Sequence, residues 1–225
     1  LKTFFYIWNF FKREKPDIVH LITIKPYLYG GIISRLTNVP GLITAVSGLG
    51  TLFISKDFKF GLLRLILYPI FKLAFNHFNQ KIILQNLDDL KVLVDWGVLN
   101  TSKVKLIRGS GVDMKKFNNP DEPSGTPVVC FAARLIRDKG VYEFVSASRL
   151  LIKRGIKAKF YLAGNLDFNN PTGLSIDELN KLKKDKSIEI LGYEKDIPKL
   201  YSNSHIICLP SYREGLPKSL IEAAA

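Results

Sequence analysis

The residues able to do chemistry gather in two short segments. The first is Ala132-Ala133-Arg134-Leu135-Ile136-Arg137-Asp138-Lys139-Gly140, in which an apolar run gives way to a loop with three cations and then to a helical pattern. A loop that feeds a helix N-terminus is a natural anion site. The first backbone N–H groups have no intrahelical partners, and the helix dipole is positive there. Arg134 can clamp a phosphate through its planar fork, and Lys139 adds a point charge. A solvated basic loop has the same composition, so this segment alone decides little.

The second segment is Pro210-Ser211-Tyr212-Arg213-Glu214-Gly215-Leu216-Pro217-Lys218-Ser219-Leu220-Ile221-Glu222. It too follows an apolar run and opens a helical pattern. Gly215 would let the backbone come close to a ligand, and Pro217 suits a first helical turn. Glu214 lies in the loop, where its carboxylate can accept hydrogen bonds from a sugar. Glu222, with seven residues between it and Glu214, lies one turn into the helix, where it can hold two vicinal hydroxyls, as a ribose requires. A glutamate near a helix start is also favoured by the dipole alone, with no ligand involved.

These segments need elements to hold them. The chain has 225 residues, 47% hydrophobic and 24% charged, an ordinary globular balance that argues against disorder. Only Cys130 and Cys208 occur, which argues against a disulfide-stapled secreted module. A secretory leader is not expected from the opening residues. The most apolar stretch, residues 60–78, is broken by Arg64, Pro69 and Lys72, short of a membrane span. The single methionine, Met114, is interior, and the chain ends in an uncapped run at Glu222-Ala223-Ala224-Ala225. The expectation is a fragment with material missing at both ends.

Apolar runs predict strands at 17–22, 41–46, 81–84 and 104–107, then at 128–133, 159–163, 188–191 and 205–209. Helical patterns fall at 27–37, 60–79, 87–96, 141–154, 176–184, 197–202 and 217–225. Residues 114–127 carry Asn118, Asn119, Pro120, Pro123, Ser124, Gly125 and Pro127, which is linker chemistry. The reading is an α/β chain of two domains, 1–113 and 128–225, joined by a linker over 114–127. Near-continuous apolar strands alternating with helices predict doubly wound parallel sheets covered on both faces. Ligands of such sheets sit beyond the carboxyl ends of the strands, which is where both segments lie.

Taken together, the two segments resemble the signature of the retaining glycosyltransferases of family 4. That signature is an Arg…Lys-Gly loop followed by a Glu-x7-Glu pattern in a Glu-Gly-hydrophobic-Pro context. Here these are Arg134, Lys139, Glu214 and Glu222, and the match is nearly continuous over 128–225. The resemblance implies the GT-B fold, two Rossmann-like domains facing a cleft, both incomplete in this chain. It implies Arg134 and Lys139 on the donor diphosphate and Glu214 on the donor sugar, with Gly215, Leu216 and Pro217 completing the donor site and Glu222 on the ribose. It implies a UDP-sugar donor and retention of configuration, with no covalent enzyme intermediate. Neither a cofactor nor a metal ion is expected. The chain has no Asp-x-Asp pair, and the three His (His20, His77, His205) and two Cys lack metal-ligand spacing. Cations and a helix terminus would neutralise the leaving diphosphate instead.

In the first half, Thr23-Ile24-Lys25-Pro26, Ser47-Gly48-Leu49-Gly50 and Gly109-Ser110-Gly111-Val112-Asp113 are similar to the branch that elongates lipid-linked sugars in bacterial surface polysaccharides and glycoproteins. That likeness implies transfer of an N-acetylhexosamine to a polyprenyl-diphosphate-linked saccharide. Lys25 would meet phosphates of donor or acceptor, or would be a plain surface lysine. Ser47 and Gly48 would line the acceptor side, or form only a tight turn. Gly111 would belong to a hinge loop whose amides reach the cleft.

The net charge is +13. Residues 1–113 hold 15 Lys and Arg against 7 Asp and Glu, while 114–225 hold 18 against 13. Within 56–81, Lys56, Lys59, Arg64, Lys72 and Lys81 face only Asp57 among many apolar residues. A basic amphipathic helix of this kind suits an anionic membrane surface, although much of its apolar face must still pack on the sheet. The expected location is peripheral, on the cytoplasmic face of the bacterial membrane. Nucleic acid is not an expected partner, because no recognition helix or aromatic-interleaved basic strand is present. Two other readings stand beside this one: a UDP-sugar 2-epimerase of the same architecture, and a non-catalytic fragment that binds UDP weakly.

Overall fold

In the computed structural model, which describes residues 2–54, 58–118 and 121–225, all eight apolar runs form strands. The chain divides into two units, Leu1–Gly109 and Ser110–Ala225. Asn119 and Pro120 of the expected linker, and Lys56 and Asp57 of the basic segment, lie outside the described residues.

The first unit holds a parallel sheet of β1 (Ile18–Ile22), β2 (Gly41–Val46), β3 (Gln80–Leu84) and β4 (Val104–Leu106), in that spatial order. Its helices are α1 (Lys2–Glu14), α2 (Ile24–Leu36), α3 (Thr51–Ile54), α4 (Phe58–Ala74) and α5 (Leu87–Asp95). Right-handed crossovers between strands that always step the same way put every connecting helix on one face. That face is where the core lies: Val19, Leu21, Leu42, Val46, Ile82 and Leu84 are buried against Tyr27, Ile33, Phe71, Phe75 and Leu93. Ile18 and Ile22, on the other face, are exposed. Cover on both faces, expected from the apolar strands, is therefore not met in this unit among the described residues.

Some of the helices also depart from the sequence pattern. The helix expected over 60–79 stops at Ala74, because the Gln80 side-chain amide donates to the Ala74 carbonyl (3.1 Å) and caps the end. Apolar periodicity continues through Phe75 and Phe78 and hides that stop. The aromatic-rich α1 has no clear helical signal in the sequence. Its Phe, Tyr, Trp and Thr residues are weak helix formers, and it is fixed by Phe11 in the core.

The second unit holds a parallel sheet in the order β7-β6-β5-β8, where β5 is Val128–Ala132, β6 Lys159–Ala163, β7 Glu189–Gly192 and β8 Ile206–Ile207. Its helices are α6 (Val141–Lys153), α7 (Ile176–Lys183), α8 (Ile197–Ser202) and α9 (Lys218–Ala224). The chain steps from β5 to β6 to β7, then returns to the far side of β5. By the handedness rule α6 and α7 share one face and α8 covers the other. The packing agrees. Phe131, Val141, Phe144, Phe160, Leu162 and Leu182 form one cluster; Cys130, Ala163, Leu200 and Tyr201 form the opposite one. Here both faces are covered, as the sequence predicts.

Candidate functional site

A sheet whose strand order reverses has one natural crevice. The loops leaving the two strands at the reversal turn to opposite faces and part. In the second unit the reversal lies between β5 and β8. The Arg134–Gly140 loop leaves β5, and the Pro210–Pro217 loop leaves β8.

The two loops are fastened together. The Tyr212 backbone N–H (3.0 Å) and the Ser211 hydroxyl (3.1 Å) both donate to the Asp138 carbonyl. Gly140 sits in the left-handed region at φ 78°, where a Cβ would overlap the Pro210 carbonyl oxygen. Only glycine lets the loops come this close. This closure brings Lys139 Nζ to 2.5 Å from Glu214 Oε1, with each side chain about one-fifth exposed (21% and 22%). A cation and a carboxylate from two different loops thus meet at the switch point, partly shielded from water.

Arg134 is held differently. Its Nη1 donates to Asp167 Oδ2 at 2.6 Å. Ala132, Ala133, Arg134, Gly164, Asn165 and Tyr193 help line a small, mainly apolar cavity of about 230 Å³ at the ends of β5, β6 and β7. Arg137, the third cation of the loop, is committed elsewhere, to Glu178 (2.5 Å) and the Gly173 carbonyl (3.1 Å). Glu178 also caps α7 with Ser175 and accepts from the Tyr142 hydroxyl. The Ser175 backbone N–H first, and then the Tyr142 hydroxyl, pull its carboxyl down to about 2. Arg137 is therefore part of the scaffold.

Gly215, Leu216 and Pro217 complete the loop into α9 and are half-buried. Pro217 does not lie in the first turn but just before it, where its carbonyl accepts from the Leu220 and Ile221 N–H groups (3.1 and 3.3 Å). Glu222 pairs with Lys218 (3.3 Å), not with Lys139, and lines a second cavity with Tyr201, Ser204 and Lys199. Burial, and secondarily the Glu222 charge, raise the Tyr201 hydroxyl.

In the first unit, Lys25 is exposed in the first turn of α2, which follows β1. Thr23 before it has φ 72°, a strained value for a β-branched residue. Ser47 is exposed and Gly48 half-buried in the loop after β2, which is anchored by fully buried Leu49. Gly111 is exposed at φ 74° in the second unit. On α4, Phe58, Leu62, Leu65, Ile66, Ile70 and Leu73 are all exposed, at helical spacing along one side. The helix carries Lys59, Arg64 and Lys72 and no acidic residue.

Asp167 was missed in the sequence. It stands 33 residues from Arg134 with no fixed spacing to it, and the one usable signal is its place just after an apolar strand. Among the described residues, no three His, Cys, Asp or Glu side chains gather as metal ligands.

The family described as glycosyl transferases group 1 matches residues 113–225, and the glycosyl transferase 4-like family matches residues 1–86. A Campylobacter jejuni N,N'-diacetylbacillosaminyl-diphospho-undecaprenol alpha-1,3-N-acetylgalactosaminyltransferase is 31% identical over 241 residues, covering 100% of this chain and 61% of that protein. The capsular polysaccharide biosynthesis glycosyltransferase CapM of Staphylococcus aureus is 27% identical, covering 100% of this chain and 60% of its own. The chain thus spans about 60% of the length of these relatives. The crystal structure of Anabaena HepE in complex with UDP-glucose superposes with a TM-score of 0.74 at 18% identity, over 98% of this chain and 60% of that one. The two Rossmann-like parallel-sheet units of the present chain are partial domains of the GT-B fold.

Proposed function

The chain belongs to the glycosyl transferases group 1 family, and from that premise we propose that it moves a sugar, an N-acetylhexosamine, from a UDP-sugar to a saccharide carried on polyprenyl diphosphate. The observation that carries this reading is the Lys139–Glu214 pair at the switch point between β5 and β8. A cation and a carboxylate fixed beside each other suit a ligand that presents a diphosphate next to sugar hydroxyls. The lipid-linked substrate named for the Campylobacter relative supports the acceptor, and the UDP-glucose of the HepE complex supports the donor.

In the proposed reaction the bond from sugar C1 to the diphosphate oxygen breaks, and its electron pair stays with the diphosphate. Arg134 and Lys139 neutralise that developing charge, with no metal ion required. Glu214 accepts from the sugar hydroxyls and holds the ring. The acceptor hydroxyl oxygen bonds to C1 on the face the diphosphate leaves, so configuration is retained, and its proton leaves with the diphosphate. No side chain acts as a covalent nucleophile. Lys25, Ser47, Gly48 and Gly111 belong to the acceptor side in this reading.

Glu222 is assigned to the ribose. Two hydroxyl hydrogen bonds at about 1 kcal/mol each put the expected loss of UDP affinity in Glu222→Ala at roughly tenfold or more. Titration calorimetry with UDP checks this, and an unchanged affinity takes Glu222 out of the ribose site.

We place the protein peripherally at an anionic membrane, on its cytoplasmic side. No helix among the described residues is long and apolar enough to cross a bilayer, but α4 presents an exposed apolar side and its own charged residues are Lys59, Arg64 and Lys72. Such a helix lies in the headgroup region. Leu65, 70% exposed, can be changed without disturbing the core. Leu65→Glu combined with Lys59→Glu should abolish co-sedimentation with vesicles containing anionic phospholipid. Undiminished co-sedimentation would sink the membrane assignment.

A further inference from the structure

We propose that Asp167 is a positioning residue that holds the Arg134 guanidinium ready for the donor diphosphate; this rests on the donor-site reading above. The two partners differ in freedom. Arg134 is 60% exposed, whereas Asp167 is 21% exposed. The loop that bears Asp167 is stitched to the cationic loop along its length. Leu135 N–H donates to the Asn165 carbonyl (2.9 Å), Arg137 N–H to Thr172 (2.7 Å), and Leu174 N–H to Leu135 (3.0 Å). Within the loop, Asn170 N–H donates to the Asp167 carbonyl (3.2 Å), and a Cβ at Gly173 would overlap that same oxygen. Gly164, at the start of the loop, is at φ 152° and presses on the Ala133 carbonyl, where no Cβ fits. The carboxylate is thus the fixed partner and the guanidinium the one being fixed.

An unrestrained arginine loses rotamer freedom when a ligand orders it, which weakens binding. Asp167 removes that cost in advance. It takes one N–H group of the fork, and the other donors stay on a side chain that is mostly solvent-accessible. The carboxylate also places a negative charge near an anionic ligand. At an exposed site that repulsion is strongly screened by water, so the ordering effect wins.

Titration calorimetry of the purified protein with UDP and with uridine reads this. Asp167→Ala should reduce the preference for UDP over uridine roughly tenfold, the scale of coupling between contacting residues. Affinity for uridine and the Tm should stay as in the wild type. Asp167→Asn keeps a side-chain acceptor and should recover most of the preference. Added to Arg134→Ala, Asp167→Ala should have no further effect. Equal weakening of UDP and uridine would overturn the proposal, since Asp167 would then only support the loop. Tighter UDP binding by Asp167→Ala would overturn it too, because the carboxylate would then compete with the ligand. If Arg134→Ala alone leaves the preference for UDP unchanged, the donor-site reading itself fails and the positioning role fails with it.

Discussion

The double substitution Arg134→Ala and Lys139→Ala should erase the protein's preference for UDP over uridine. Each cation offers charge-assisted hydrogen bonds, net about 1.5–3 kcal/mol apiece once desolvation is counted. Removing both therefore costs about 3–6 kcal/mol, or roughly a hundred- to ten-thousandfold in affinity. The two contributions should be unequal. Arg134 is largely exposed and screened, whereas Lys139 is mostly shielded and already tied to Glu214 at 2.5 Å. Lys139→Ala also removes the Lys139–Glu214 ion pair that ties the two loops together, so the single variant should lose more than Arg134→Ala does. Calorimetry with both ligands separates these effects from unfolding, because uridine lacks the diphosphate. Retained discrimination in the double variant would show that the β5 loop does not hold the phosphates.

A large loss of stability is expected at Gly140. Substituting alanine there incurs two costs. The backbone stays in the left-handed region, at about 1–2 kcal/mol, and the new Cβ overlaps the Pro210 carbonyl oxygen. That oxygen belongs to backbone and cannot swing away as a side chain would. The sum is expected to exceed about 3 kcal/mol, a large share of a typical domain's stability. Gly155 is a built-in control. It has a similar φ of 79° but nothing within 4 Å of its Cβ position, so Gly155→Ala should cost only about 1 kcal/mol. The probe matters here. The two tryptophans, Trp8 and Trp96, both lie in the first unit, so their fluorescence does not follow the unit that carries the substitution. Amide hydrogen exchange across β5 and β8 does. Exchange as slow in Gly140→Ala as in Gly155→Ala would mean the two site loops are not packed as described.

Much of this arrangement can be read from the residues in order, and some of it cannot. Strands β2 and β6 appear at the expected bounds because their apolar runs are flanked by breakers. β8 shrinks from five expected residues to two, since only Val129 and Cys130 pair with it. Arg134, Lys139 and Glu214 are legible because each sits at a strand end in a loop with its own composition. The lateral order of the strands is not. Nothing in the spacing reveals that the chain steps back across β5, and that reversal decides which two loops share a crevice. Pairings between distant loops are equally invisible. Asp167 has no spacing rule to Arg134, and the partner of Glu222 is its neighbour Lys218 rather than a group of the β5 loop. The uncovered face of the first sheet is hidden for the same reason, since apolar strands such as β1 look alike whether one face is covered or two.

The most direct test of the account is transfer itself. The complete protein would be mixed with a panel of UDP-sugars and a polyprenyl-diphosphate-linked saccharide, and the lipid product read by mass. The account predicts a gain of one N-acetylhexosamine, undiminished by a chelator and lost in Glu214→Ala. No gain from any UDP-sugar, with the donor instead converted into its epimer, would contradict it.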